Sequence, residues 1–222
     1  MTAKFTGTDK VFEIDTPEKA YSLGFFWGDG NLMRLPRSET RFYPRVEIKK
    51  ADFEFLHPSF LSLGKGSLHH RKRDRRQEQT VMTICDPNLG WFLFKNDYSV
   101  KSNSEPSKIL KNISDKLKPY WWRGFVDADG CFYYNQKQYL KQFSLAGSFQ
   151  NTWTEAELLF KNLDIIKYKK QYRDERLIKN SQSSCIRINN KADITKLGDY
   201  LYKDRLEIGL KRKQDIFFRI KE

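Results

Sequence analysis

Cysteine is scarce in this 222-residue chain: Cys85, Cys131 and Cys185 are odd in number, widely spaced and without CxxC spacing. That pattern excludes a disulfide framework and argues against a cysteine-built zinc site. Their apolar neighbours favour buried thiols in an intracellular, reducing compartment. Long apolar runs are also missing. No stretch approaches the roughly 20 residues needed to cross a bilayer. Met1 to Asp15 carries Lys4 and Lys10 but no apolar run of the kind a secretion signal has, so no membrane partner is expected. Low-complexity tracts are absent. His69 and His70 sit in a basic stretch with no carboxylate or nucleophile pattern around them, which argues against catalysis by either.

What is present is aromatic and basic. With 39% of residues hydrophobic and 17 Phe, 11 Tyr and 5 Trp, the chain has ample material for a core and is not disordered. A net charge of +13 and a pI near 9.5 point to a polyanionic partner, nucleic acid first and an acidic membrane second. The length allows one large domain or two of about 100 residues each.

Two stretches decide between these. Leu23 to Gly30 (LGFFWGDG) and Arg123 to Gly130 (RGFVDADG) lie 100 residues apart and read alike. Each ends an apolar run on an Asp-Gly pair, Asp29-Gly30 and Asp129-Gly130. An acid in the last turn of a helix opposes the helix dipole at a cost of about 0.3–1 kcal/mol, and this chain accepts that cost twice. Small residues recur four apart, at Gly24 and Gly28 and at Gly124 and Ala128. On a helix such residues share a face and let two backbones approach closely. If the two helices pack through those faces, Asp29 and Asp129 emerge side by side at one end. Two carboxylates so placed call for a divalent cation.

Around the motifs the chain reads as two similar halves. Thr16 is a good N-cap, Pro17 suits the first helical position, and the first motif helix is expected to run to about Asp29. The second is expected to start near Pro119. Alternation over Arg41 to Lys49 predicts a half-buried strand: Arg41, Tyr43, Arg45, Glu47 and Lys49 outward, Phe42, Pro44, Val46 and Ile48 inward. Gln142 to Gln150 repeats the pattern, with Phe143, Leu145 and Phe149 inward. Short helices follow at Asp52 to Leu63 and Thr154 to Leu163, the latter with a capping sequence starting at Thr154. Further strand pairs are expected at Ser67 to Arg73 with Thr80 to Cys85, and at Ile166 to Arg173 with Ser184 to Asn189. The charged turn Asp74 to Arg76 joins the first pair. Each half closes with a helix, at Pro87 to Asn96 and at Lys191 to Lys203. The expected organisation is a first repeat over 1–100, a linker over 101–118 and a second repeat over 119–222.

At this point the paired motifs resemble those of the LAGLIDADG homing endonucleases in their single-chain form. Trp122 to Gly130 (WRGFVDADG) is a close match; Ser22 to Gly30 (SLGFFWGDG) is looser, with Trp27 where the consensus has an acid. Tyr98 to Ser102 (YSVKS) resembles the lysine-serine element that closes a first repeat. Leu201 to Asp204 with Leu210 to Lys213 (LKRK) resembles the basic element that closes a second.

The resemblance implies an α+β fold of two pseudo-symmetric αββαββα halves, packed through the motif helices, with antiparallel sheets forming a saddle over double-stranded DNA. It implies a monomeric, intron-encoded endonuclease that cuts both strands of a long target. Asp29 and Asp129 would hold Mg²⁺, with Mn²⁺ as a substitute, and Gly28 and Ala128 would lie at the metals beside them. Lys101 and Lys213 would be the basic groups beside each site, with Lys211 a rival to Lys213. The expected DNA-facing residues in the first half are Arg41, Tyr43, Arg45, Lys49, Arg71, Arg73, Arg75 and Arg76. In the second half they are Gln142, Ser144, Gln150, Lys169, Gln171, Arg173 and Arg187. Arg and Gln suit base edges, Lys suits phosphates. The alternative is a maturase on the same scaffold that binds intron RNA without cleaving DNA.

Overall fold

In the computed structural model, which describes residues 12–35, 41–72, 77–148, 150–173, 183–204 and 207–222, Thr16 caps the first helix. This helix, α1 (Pro17–Gly28), starts where the Thr16 hydroxyl accepts from the Lys19 N–H at 3.3 Å. Asp29 is its C-cap, and the chain turns directly into β1 (Gly30–Arg34). Then come β2 (Phe42–Lys49), α2 (Lys50–Leu61), β3 (Gly66–Arg71), β4 (Gln79–Ile84) and α3 (Pro87–Lys95). A 3-10 turn (Lys101–Asn103) and α4 (Ser107–Lys111) lead to the second motif helix, α5 (Lys118–Asp129). The second half repeats the order: β5 (Gly130–Asn135), β6 (Leu140–Ser148), α6 (Thr154–Asn162), β7 (Tyr168–Arg173), β8 (Ser183–Ile188) and α7 (Lys191–Tyr202). It ends with α8 (Lys211–Lys221).

Both halves form a four-stranded antiparallel sheet, in the orders β1-β2-β4-β3 and β5-β6-β8-β7. The matching orders and the repeated helix positions make the molecule α+β with two pseudo-symmetric halves. Strand alternation gives each sheet an apolar face toward the helices and a polar face away from them, as β2 illustrates: Phe42, Pro44, Val46 and Ile48 are buried and the residues between them are not. One hydrophobic cluster runs through both halves. No helix among the described residues is long and apolar enough to cross a membrane.

The helices α1 and α5 meet at their glycines. A Cβ on Gly24 would collide with the Trp121 carbonyl oxygen, and one on Gly124 with the Tyr21 carbonyl oxygen. The backbones touch, so no side chain fits between them. Ring contacts Trp27–Trp121 (6.2 Å) and Trp27–Tyr98 (5.0 Å) seal the flank of this contact.

Four expectations are corrected. Cys85 and Cys131 are exposed and Cys185 is partly exposed, not buried: alternation sends Phe132 and Ile186 inward and their cysteine neighbours outward. Thr154 does not cap α6. Glu105, from the segment before α4, accepts from the N–H of Trp153 at 2.7 Å and of Glu155 at 3.5 Å. Strand β6 stops at Ser148, which leaves Gln150 exposed in a turn beyond the sheet face. The segment 101–118 is not a bare tether, since Ile109, Leu110, Ile113 and Leu117 are buried in the common core. The expected turn over 74–76, together with Arg73 and Phe149, lies outside the described residues.

The glycine contact yields a stability prediction. Gly24→Ala or Gly124→Ala is expected to lose about 2–4 kcal/mol in denaturant unfolding, because the obstructing atoms are backbone and cannot rotate away. Gly28→Ala is expected to destabilise as well, since its Cβ would lie 2.4 Å from the Ala128 Cβ, which is as fixed as the backbone.

Candidate active site and nucleic-acid interface

The helix contact brings the two Asp-Gly ends together. The ideal Cβ position of Gly28, on α1, lies 3.0 Å from Asp129 Oδ2, on α5. Burial and the neighbouring Asp29 charge push the Asp129 carboxyl up to about 6, against the pull of Lys101 and Lys213. Burial raises Asp29 as well, with the same two lysines opposing. Asp129 is half-buried and Asp29 opens to solvent, with two ammonium groups close enough to act on both.

Each lysine closes one helix end. Lys101 Nζ donates to the Trp27 carbonyl at 2.7 Å and to the Gly28 carbonyl, at the end of α1. Lys213 Nζ donates to the carbonyls of Val126 (2.9 Å), Asp127 (2.6 Å) and Gly130 (2.7 Å), at the end of α5. The last carbonyls of a helix lack intrahelical partners and carry the negative end of its dipole. The ammonium groups therefore offset the acids placed there. Burial pulls Lys101 down to about 8 and lowers Lys213 too. Lys211 is exposed at the start of α8, whereas Lys213, with its three carbonyl partners, is only 7% exposed.

Asp127 does a different job. It sits two residues before Asp129, which turns it to the opposite side of the helix, and it is 2% exposed. Its Oδ2 accepts from the Tyr21 hydroxyl and from the Leu210 N–H, both at 2.8 Å. It ties α1, α5 and the segment leading to Lys213 into one unit. Gly209, at φ +97°, is required beside it, since a side chain there would strike Asp127 and Tyr21.

The outward sheet faces flank this centre. On the first sheet Tyr43, Arg45 and Lys49 (β2) and Arg71 (β3) point outward, while Arg41 lies exposed just before β2. On the second, Gln142 and Ser144 (β6), Lys169 and Gln171 (β7) and Arg187 (β8) share the outward face. Arg173 ends β7, but its side chain, like Arg75 and Arg76, lies outside the described residues. Strand register adds Asn31 and Met33 on β1 and Cys131 and Tyr133 on β5, which the sequence reading missed. Their signal was present in the alternation that begins right after Gly30 and Gly130. Glu47 is also outward, and it engages both Arg45 and Arg71.

Solved structures supply the deciding comparison. The homing endonuclease I-WcaI bound to its DNA recognition sequence superposes with a TM-score of 0.59 at 18% identity, covering 96% of this chain and 95% of that one. The fold is that of the LAGLIDADG homing endonucleases. The LAGLIDADG meganuclease I-CpaMI bound to uncleaved DNA is similar too, with a TM-score of 0.57 at 16% identity over 94% of this chain and 91% of that one. I-GzeII in complex with its DNA target gives 0.55 at 14% identity, over 93% and 89%. No family-wide sequence pattern and no curated protein matches the chain. In the LAGLIDADG scaffold of this chain, Asp29 and Asp129 occupy matching places and so do Lys101 and Lys213.

The raised Asp129 carboxyl has a measurable consequence. Its folded value, about 6, exceeds its ordinary 3.8, so folding disfavours the charged form. The resulting penalty is absent below about pH 4, grows as pH rises and is complete above about 6. With a chelator present, Asp129→Asn is expected to stabilise the protein by ~1–3 kcal/mol at pH 7.5 and by almost nothing at pH 4. Urea unfolding at the two pH values reads this directly.

Proposed function

We propose that this protein is a site-specific, metal-dependent double-strand DNA endonuclease that acts as a monomer. One observation carries the reading: two carboxylates, Asp29 exposed and Asp129 half-buried, emerge together at the ends of two touching helices that carry two matching sheets. The net charge of +13 suits a phosphate backbone, and the outward Arg and Gln side chains suit base edges of the major groove.

The donor set fits Mg²⁺. Among the described residues no cluster of three or more His, Cys, Asp or Glu side chains forms. Mg²⁺ is commonly held by one or two carboxylates together with substrate phosphates and water, so a pair is sufficient. Asp29 and Asp129 would hold it, with the Gly28 and Ala128 backbone beside them, and Mn²⁺ would substitute. When bound, the cation supplies charge neutralisation and activation at the phosphodiester.

The chain's own residues do the rest. Asp29 and Asp129 face one another from separate halves, so each strand of a duplex across the two sheets has a carboxylate for its scissile phosphate. Lys101 and Lys213 hold the helix ends that carry those carboxylates and add positive charge beside them. Lys101, drawn down to about 8, is suited to exchanging a proton with water or phosphate near neutral pH. Lys213, with three carbonyls on its ammonium, acts through its charge and by fixing α5.

The test is a randomised duplex library incubated with Mg²⁺ or with chelator. Metal-dependent double-strand breaks at one long motif are expected. Asp29→Asn or Asp129→Asn alone is expected to abolish double-strand breaks while leaving binding within about threefold. Lys101→Met is expected to slow cleavage by on the order of 10²-fold or more, a size typical of lost acid–base help, with little change in binding. Because the metal-free Asp129 carboxyl lies at about 6, protons should compete with Mg²⁺ below that pH, so the Mg²⁺ concentration needed for half-maximal cleavage is expected to rise as pH falls. Salt-sensitive RNA binding without any DNA cleavage would overturn the nuclease reading in favour of a maturase.

A further inference from the structure

Both outward sheet faces mix basic, amide, hydroxyl, aromatic and apolar side chains, and acids are almost missing from them. Among the described outward positions of the eight strands, Glu47 is the only acid, although the chain has 28 Asp and Glu residues. A carboxylate on a surface that faces phosphates weakens bulk attraction. Its presence at the middle of β2 therefore calls for a local reason.

The geometry supplies one. Glu47 stands opposite Val81 on β4, and Val81 stands opposite His69 on β3. Arg71 is two residues further along β3 and points to the same face. Its side chain crosses β4 diagonally to reach Glu47: Arg71 Nε donates to Glu47 Oε1 at 2.7 Å, and Arg71 Nη2 donates to Glu47 Oε2. This is a two-point clamp, in which both carboxylate oxygens engage two N–H groups of one guanidinium. On the other side Arg45 Nη2 lies 3.9 Å from Glu47 Oε2, while Arg45 Nη1 contacts the Met33 sulfur at 3.7 Å. One carboxylate thus engages two arginines, from β2 and β3, and holds the Arg71 guanidinium at two points.

An unclamped arginine on a basic surface swings to the nearest phosphate, where it positions the duplex but reads nothing. A guanidinium fixed in plane by a carboxylate keeps a defined fork direction, and that fork is what recognises the O6 and N7 edge of guanine. We infer that Glu47 is a specificity-determining positioning residue that holds Arg71, and secondarily Arg45, for guanine recognition in the half-site under the first sheet. Its negative charge also keeps the two arginines off the backbone, trading general affinity for discrimination. This inference rests on the reading of the sheets as a duplex-binding surface.

The experiment is selection of bound duplexes from a randomised library in chelator, so that no cleavage is needed, using the full chain. Wild type is expected to yield a long motif with guanine at adjacent positions in one half. Glu47→Gln keeps the shape and removes the charge. It is expected to lower the guanine preference at those positions on the order of tenfold, within the range of one bidentate base contact. Total affinity for unselected DNA should stay equal or rise, and the other half-site should be unchanged. Arg71→Gln is expected to relax the same positions, and the double variant no further. A purely structural role for Glu47 would lower affinity uniformly and leave base preference alone. An unchanged motif with Glu47→Gln, or relaxation confined to positions that Arg71→Gln does not touch, overturns the inference. If wild type selects no motif at all, the duplex-binding reading itself fails.

Discussion

Everything in this molecule follows from two helices that touch through their backbones. Gly24 and Gly124 leave no room for a side chain between α1 and α5. At that separation the helix ends cannot diverge, so the residues that follow the last turns must meet. Those residues are Asp29 and Asp129. The same contact fixes the two sheets, because each strand series begins immediately after its motif helix, at Gly30 and Gly130. Close packing thus decides the site, and the site's position decides where the polar sheet faces lie.

The arrangement is electrostatically unfavourable by itself. Two carboxylates sit at the negative ends of two helix dipoles, and the Asp29 charge helps to raise the half-buried Asp129. Lys101 and Lys213 relieve part of this by covering the terminal carbonyls. They do not neutralise the carboxylates by direct ion pairs; no such pair is among the described contacts. The residual frustration is characteristic of sites made for something other than stability.

Much of this was legible in the residues. The twin Asp-Gly endings and the small residues four apart are strong signals because they conflict with ordinary helix chemistry and do so twice. Strand faces were legible where alternation is clean, as at Arg41 to Lys49. The failures have physical causes. Helix α8 was hidden because its buried stripe is Lys213, Phe217 and Ile220, and a lysine at a core position breaks an apolar pattern. The α6 cap was misread because its carboxylate, Glu105, arrives from a distant part of the chain. The cysteines were misplaced because apolar neighbours in a strand point away from the residue between them. Glu47 was visible as an outward residue, but its role depends on a diagonal contact across β4 that no local pattern encodes.

The looser first motif becomes intelligible at the same level. Trp27 and Asp127 hold matching places on α1 and α5, and each anchors the residue three before its lysine. Asp127 accepts from the Leu210 N–H at 2.8 Å, and Lys213 follows. Trp27 packs edge-on against Tyr98 at 5.0 Å, while the Tyr98 hydroxyl donates to the Leu23 carbonyl at 2.8 Å, and Lys101 follows. One half uses a buried carboxylate with directional hydrogen bonds; the other uses an aromatic edge contact and one hydrogen bond to backbone. A buried carboxylate demands every partner it can find, which is why Tyr21, Leu210 and a left-handed Gly209 converge on Asp127. A tryptophan demands volume, a close ring and at most one acceptor for its indole N–H. The tryptophan is therefore the less constrained solution to the same problem, and the departure from the motif leaves the lysine's placement intact.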